Sequence, residues 1–265
     1  MLKMDERILW VSYQHKVEKK EIPTCNIMGV DIAAINMEWL LKFTKKNIYK
    51  LSGDYMCVSN VYTTVTASED ATYCMIQNGG IMAIPDGGPL SYIGRKRGYR
   101  NMMRTTGPSY MEEILSISEE NNYTHFFYGG TETTIEKISQ VLRDKYPKVK
   151  IVGMYSPPFR ELTDLEDEED IKRINATKPD FIWVGLGAPK QEYWMARHQG
   201  KVEGFMVGVG AGFDYLAGNI KRAPEWMQNN NMEWVYRLIQ DPKRLLKKYL
   251  YSNSKFVWNA VIRRK

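Results

Sequence analysis

From about residue 50 onward, apolar runs of strand length alternate with longer amphipathic runs. "YMCVSN" precedes "VYTTVTASEDATYCMIQ", and "GGIMAIPD" precedes "GPLSYIGRKR" and then "SYMEEILSISEE". "THFFYGG" precedes "TETTIEKISQVLRDKY", and "VKIVGMY" precedes "DLEDEEDIKRINA". "FIWVGLG" then leads into "APKQEYWMARHQ", and "GFMVGVGAG" ends the alternation. Strand-length runs separated by helix-length runs predict βαβ units, an α/β fold with a largely parallel sheet flanked by helices. The acidic "DLEDEED" is placed to open a helix, where carboxylates suit the positive end of the dipole.

Past Asn219 the texture changes. The segment "RAPEWMQNNNMEWVYRLIQDPKRLLKKYLYSNSKFVWNAVIRRK" reads as helical throughout, with a restart at "QDPKR". There Asp241 can cap and Pro242 can take the first helical position. Trp234, Leu238, Leu245 and Tyr249 recur at helical spacing, with Arg237, Arg244, Lys247 and Lys248 between them. Charge follows the same boundary: residues 219–265 hold eleven Lys and Arg against three acids, whereas residues 1–218 hold 26 against 28. The expected organisation is therefore a near-neutral body, 1–218, and a basic helical appendage, 219–265. A basic tail is a contact for phosphates of nucleic acid, anionic lipid or a phosphorylated substrate. Trp234, Tyr236, Tyr251, Phe256 and Trp258 within it favour an interfacial helix on anionic lipid. Nucleic acid is not expected, because no recognised binding module is present.

The 265 residues are enough for a substantial core. Cys25, Cys57 and Cys74 form neither a CxxC pair nor an even disulfide framework, which points to a reducing cytosol. No run of about 18 apolar residues occurs, so no transmembrane helix is expected.

Ligands of doubly wound sheets bind outside the carboxyl ends of the strands, and the polar punctuation falls there. Ser59 and Asn60 follow the first clear strand, and Asp86, Gly87 and Gly88 the second. Gly129, Gly130 and Thr131 end another; Gly185, Gly187, Lys190 and Gln191 follow "FIWV"; Gly208, Gly210, Gly212 and Asp214 end the last. If these converge, the site consists of backbone N–H groups, one base, one amide and one or two acids. "GVGAG" is not a dinucleotide fingerprint, since no ribose-binding acid follows at the usual interval. His15, His125 and His198 match no zinc-protease or triad spacing and read as structural. No Asp-x-Asp follows a strand, which counts against a divalent metal holding a nucleotide diphosphate.

Taken together and in order, "IPDGGP", "GLGAPKQE", "VGAGFDYLAG" and "RAPEWMQNNNMEWVYRLIQDPKR" resemble the WecG/TagA/CpsF family of bacterial glycosyltransferases, from about Asn26 to Leu250. "MRTTGPSYMEEI" adds to the likeness. The resemblance implies a Rossmann-like catalytic domain that moves a sugar from a UDP-sugar to a polyprenyl-diphosphate-linked acceptor. It implies inversion without a metal or other cofactor, and a C-terminal appendage that docks on the cytoplasmic face of the membrane and closes over the site. Asp86 then matches the catalytic base, Asn60 the asparagine near the substrate, and Gln191 the glutamine of "GAPKQE". Gly87, Gly107, Gly129, Gly130, Gly187, Lys190 and Asp214 are the expected donor-binding positions. Arg222, Arg237, Arg244, Lys247 and Lys248 are expected against the acceptor diphosphate or the membrane. As a base, Asp86 is expected to have an ordinary carboxylate pKa near 4. Where relatives often carry Thr two residues before the asparagine, this chain has Val58. The alternative is a UDP-sugar or lipid-diphosphate binding protein without turnover. Apolar surface on the tail could also drive a homo-oligomer that dissociates at the membrane.

Overall fold

A computed structural model describes residues 13–262. The extreme ends of the two expected segments, and the side chain of Arg244, lie outside the described residues. The chain begins with an antiparallel hairpin, β1 (Thr24–Ile27) and β2 (Val30–Ala33), followed by α1 (Met37–Leu51). Next come β3 (Tyr55–Ser59), α2 (Val61–Glu69), α3 (Ala71–Gly79), β4 (Met82–Pro85), α4 (Gly88–Lys96) and α5 (Gly107–Asn121). The second half runs β5 (Thr124–Gly129), α6 (Glu132–Lys145), β6 (Lys150–Tyr155), α7 (Asp164–Thr177), β7 (Phe181–Gly185), α8 (Lys190–His198) and β8 (Phe205–Gly208). A short α9 (Gly212–Leu216) leads to α10 (Glu225–Asn229), α11 (Glu233–Gln240) and α12 (Pro242–Phe256), which Val257–Ile262 extends as a π-helix.

All six strands expected from the apolar runs form, and they pair in parallel. The sheet has eight strands in the order β1-β2-β4-β3-β8-β7-β5-β6, antiparallel only at β1–β2. The two extra strands and α1 precede the alternation and gave no sign in it. One expected helix, "VYTTVTASEDATYCMIQ", is two. The Asp70 N–H closes α2 on the Thr66 carbonyl (3.0 Å), and its carboxylate accepts from the Tyr73 N–H (3.0 Å) to cap α3. A single Asx residue thus ends one helix and starts the next. The acidic run opens α7 as expected, behind a Thr163–Glu166 capping box. Pro242 is indeed the first residue of α12.

Helices cover the sheet on both faces. Phe43 of α1, Ile114 of α5, Ile138 of α6 and Phe213 of α9 pack into one layer. Val65 of α2, Tyr73 of α3, Ile93 of α4, Ile174 of α7 and Trp194 of α8 pack into the other. After β3 the chain turns to the second layer, and after neighbouring β8 it turns to the first. That divergence leaves a crevice at the carboxyl ends of β3 and β8, the topological switch point where ligands of such sheets bind.

The tail packs beside this crevice. Phe256 and Ala260 are buried in the second layer. Lys255 pairs with Glu69 of α2, and Tyr251 donates to the same carboxylate (2.7 Å). Among the described residues, no helix is long and apolar enough to cross a membrane.

Candidate active site

A cavity of about 720 Å³ lies on the outer face of α2 and α3, and a larger one of about 930 Å³ occupies the switch point. The larger is lined from both sides of the sheet and by the tail. Asn60, Asp86, Gly87, Gly130, Gly187, Lys190, Gln191 and Asp214 line it, as do Arg237 and Lys248 from the tail.

Each of the three central side chains is set by its strand end. Asn60 caps α2: its carbonyl oxygen accepts from the N–H groups of Tyr62 (3.0 Å) and Thr63 (3.2 Å). The oxygen being engaged, the amide NH₂ is what Asn60 can offer a ligand. Asp86 leaves β4 with its N–H on the Ser59 carbonyl (2.8 Å), while its own carbonyl accepts from Arg104 Nε (3.2 Å). Gln191 sits in the first turn of α8, buried, with its amide NH₂ donating to the Gly208 carbonyl (3.0 Å) and to Glu192 (2.8 Å).

The Asp86 carboxyl is half-buried and opens to the cavity. Burial pushes its pKa up to about 6; Arg104, Arg237 and Arg222 oppose the rise and Glu233 adds to it. The expectation of a pKa near 4 is therefore corrected, because the crevice removes much of the water that would solvate the charge. At pH 7 the group remains about nine-tenths ionised, and it holds a proton more readily than an ordinary carboxylate.

Of the described positions expected to bind donor or acceptor, four do not line the cavity, and of the other strand-end residues Ser59 and Gly212 do not either. Gly129 serves the sheet: at φ +120°, a Cβ there would lie 2.7 Å from the Gly185 carbonyl carbon. Gly107, at the start of α5, packs under Val58 and Val209. Arg222 is held by Glu112 (3.0 Å) and Ser109 (3.0 Å), and Lys247 is exposed away from the crevice. Val58 does line the cavity, with methyl groups where relatives often present a hydroxyl. The three histidines are remote from it: His15 pairs with Asp54 (2.6 Å), His125 bridges Ser118 and Trp183, and His198 meets the Trp194 carbonyl.

Sequence reasoning missed the group that joins body and tail. Arg104 forms an ion pair with Glu233 at the start of α11 and also reaches the Gln228 carbonyl (3.4 Å). Behind them Tyr215 stacks near Arg237, whose Cζ lies 5.7 Å from the ring centroid. Lys248 Nζ stands 3.4 Å over the Tyr62 ring. Asn231 packs so closely on Gly88 that a Cβ at Gly88 would meet its Oδ1 at 2.2 Å. That glycine therefore already admits a tail side chain. Arg104 lies inside "MRTTGPSYMEEI", but nothing about the stretch marks its partner 129 residues away.

The glycosyl transferase WecG/TagA/CpsF family model matches residues 25–265. The chain belongs to that family. It is a glycosyltransferase, with a Rossmann-like fold. Curated relatives include the N-acetylglucosaminyldiphosphoundecaprenol N-acetyl-beta-D-mannosaminyltransferases of Staphylococcus aureus strains MW2, NCTC 8325 and MRSA252. Each is 29% identical over 231 residues, spanning 86% of this chain and 89% of the relative. In this glycosyltransferase the cavity pairs a raised carboxyl on one side with glycine-rich strand ends on the other. Among the described residues, no group of three or more His, Cys, Asp or Glu is placed to hold a metal.

Proposed function

We propose that the chain is an inverting, metal-independent transferase. It moves an N-acetylmannosamine-type or related hexose from a UDP-sugar to a polyprenyl-diphosphate-linked sugar, in the making of surface polysaccharide or teichoic acid. The observation that carries the reading is Asp86, a carboxyl pushed up to about 6 that lines one side of a cavity whose other side carries the glycine-rich ends of β5, β7 and β8. The names of the staphylococcal relatives supply the acceptor class and the sugar class.

In the reaction the acceptor hydroxyl oxygen attacks the anomeric carbon as the bond from that carbon to the UDP oxygen breaks. Asp86 takes the hydroxyl proton, work that typically contributes about 10²- to 10⁴-fold in rate. A pKa of about 6 suits it better than 4, since a base is most effective with its pKa near the working pH. The departing diphosphate gathers negative charge. The starts of α4 and α8, with their unpaired backbone N–H groups, border the cavity, and Lys190, Arg237 and Lys248 line it. These cations and dipoles are the groups that would do the work a divalent ion does in other nucleotide-sugar enzymes.

The body 1–218 carries the base and the donor side, and the appendage 219–265 completes the site and docks the lipid. Trp226, Ile239, Leu250 and Trp258 of the tail are each more than half exposed. Apolar side chains interleaved with lysines fit the interface of an anionic membrane. The enzyme is accordingly peripheral on the cytoplasmic face.

The test measures UDP release from a panel of UDP-sugars with a short-chain polyprenyl-diphosphate-GlcNAc acceptor, with and without EDTA. Wild type should release UDP from one donor only when acceptor is present, unaffected by EDTA, and Asp86→Ala should abolish release. Release that survives Asp86→Ala removes the base. Tight UDP binding with no turnover of any donor makes the chain a binding protein instead.

A further inference from the structure

Directly behind Gln191 lies a carboxyl the reaction above does not use. Glu192 is fully buried and does not line the cavity. It forms no ion pair with a described residue, and its Oε2 has no hydrogen-bond partner among them. A buried acid without an ion-pair partner costs stability that a leucine of similar size would not. Burial raises its pKa to about 7, against the pull of the Gln191 amide, its own backbone N–H, the Tyr73 hydroxyl and the Lys248 charge.

What Glu192 does is legible in its hydrogen bond with Gln191. Gln191 Nε2 donates to both Glu192 Oε1 (2.8 Å) and the Gly208 carbonyl (3.0 Å). Both neighbours are acceptors, so only the NH₂ end of the amide satisfies them, and the carbonyl end must point the other way. There Gln191 Oε1 is buried and has no partner. The space beside it is kept by Gly210, on which a Cβ would stand 3.3 Å from Oε1. Gly208 also has to be glycine for the contact, since its Cβ would lie 3.0 Å from Nε2.

We propose that Glu192 is a positioning residue: with the Gly208 carbonyl it locks the Gln191 amide so that Oε1 faces the cavity as an acceptor for a hydroxyl or amide N–H of the transferred sugar. A buried, unpartnered acceptor discriminates strongly, because a substrate lacking the matching donor leaves it unpaired. The proposal rests on the UDP-sugar reading for the ligand, but the lock itself is a property of the chain.

The experiment compares Glu192→Leu with Glu192→Gln, the second of which keeps an oxygen able to accept from Gln191. Donor KM and kcat are read from UDP release, UDP affinity by calorimetry, and Gln191 from crystal structures of both variants. Expected is a loss of about tenfold in kcat/KM for the sugar donor in Glu192→Leu, the worth of one hydrogen bond, with UDP affinity unchanged. Glu192→Gln should recover to within about threefold of wild type on the same scale. Unchanged kinetics in Glu192→Leu, equal losses in both variants, or a matching loss of UDP affinity overturns the proposal. If wild type turns over no UDP-sugar, the functional reading fails and the crystal structure decides this one. A rotated or disordered Gln191 amide in Glu192→Leu supports the lock, and an unmoved one overturns it. Should Glu192→Leu not fold, Glu192→Met replaces it with the same outcomes.

Discussion

Asp86→Asn should inactivate the enzyme and make it more stable. The carboxyl pKa moves from its ordinary 3.8 up to about 6, first because burial strips water from the charge, with Arg104 opposing and Glu233 assisting. A raised pKa means the folded chain binds the proton more tightly than the unfolded chain. The group's favourable contribution is then complete below about pH 4 and is lost as pH rises through about 6. A shift of about two units corresponds to roughly 3 kcal/mol of penalty on the ionised form. Asp86 is only half-buried, so cavity water returns part of this, and about 1–3 kcal/mol is the expected gain on replacing it by the neutral amide above pH 7. For a domain of this size each kcal/mol moves Tm by about 2–4 °C, so the variant should melt roughly 2–12 °C higher at pH 7.5. Melting curves of both proteins from pH 4 to pH 8 check this. The two should coincide near pH 4 and separate through pH 6. A variant that melts lower than wild type, or at the same temperature throughout the range, refutes the claim that Asp86 is held in a strained ionised state.

On the proposed mechanism the same carboxyl sets the acidic limb of activity. kcat/KM should fall below about pH 6 as the base is protonated, and Glu233→Gln should move that limb to lower pH by removing a negative charge that raises the pKa. Arg104→Ala leaves Glu233 without its ion-pair partner. It should cost about 1–3 kcal/mol, seen as earlier proteolysis of the tail, and Arg104→Ala with Glu233→Gln should recover most of it. Gly129→Ala forces a Cβ against the Gly185 backbone at φ +120° and should destabilise by more than about 2 kcal/mol in chemical denaturation. Gly187→Ala at φ +77° meets nothing within 4 Å, so it should cost less stability while raising donor KM.

The strands from residue 50 onward were legible because each is a short apolar run; Tyr55–Ser59, Met82–Pro85 and Phe205–Gly208 are buried from end to end, and only the edge strand Lys150–Tyr155 is partly exposed along its length. The hairpin at residues 24–33 was not, because it alternates with exposed positions and lies on the edge. Asp70 carried the signal for a helix break, an Asx residue within a helical stretch, yet the flanking periodicity ran through it. At the site, whatever hangs on a strand end could be read, since topology alone brings Asn60, Asp86 and Gln191 to one crevice. The Arg104–Glu233 pair could not, because it depends on how the tail folds back, and no local pattern encodes that. Nor could the raised Asp86 pKa, which comes from what surrounds the residue and not from its neighbours in sequence.

Those missed features are linked. Glu233 and Arg237 lie on α11, four residues apart and hence on one helical face, and they act on Asp86 in opposite senses. Arg104 is the only one of the strong influences that belongs to the body, and it is bound to Glu233. With the tail lifted away, the crevice opens to water and Glu233 leaves with it, so Asp86 loses both causes of its raised pKa. The opposing Arg237 and Arg222 leave as well, and the loss of burial, the largest cause, decides the direction. Arg104, freed from its partner, then pulls the pKa down further. On the proposed mechanism, seating the tail would therefore raise the Asp86 pKa as well as cover the cavity. A truncation ending at residue 218 should still bind UDP through the glycine-rich half, while the Asp86 titration, followed by carboxyl NMR, falls back towards 4. A titration that stays near 6 in the truncated chain would place the cause within the body and break the link between closure and base strength.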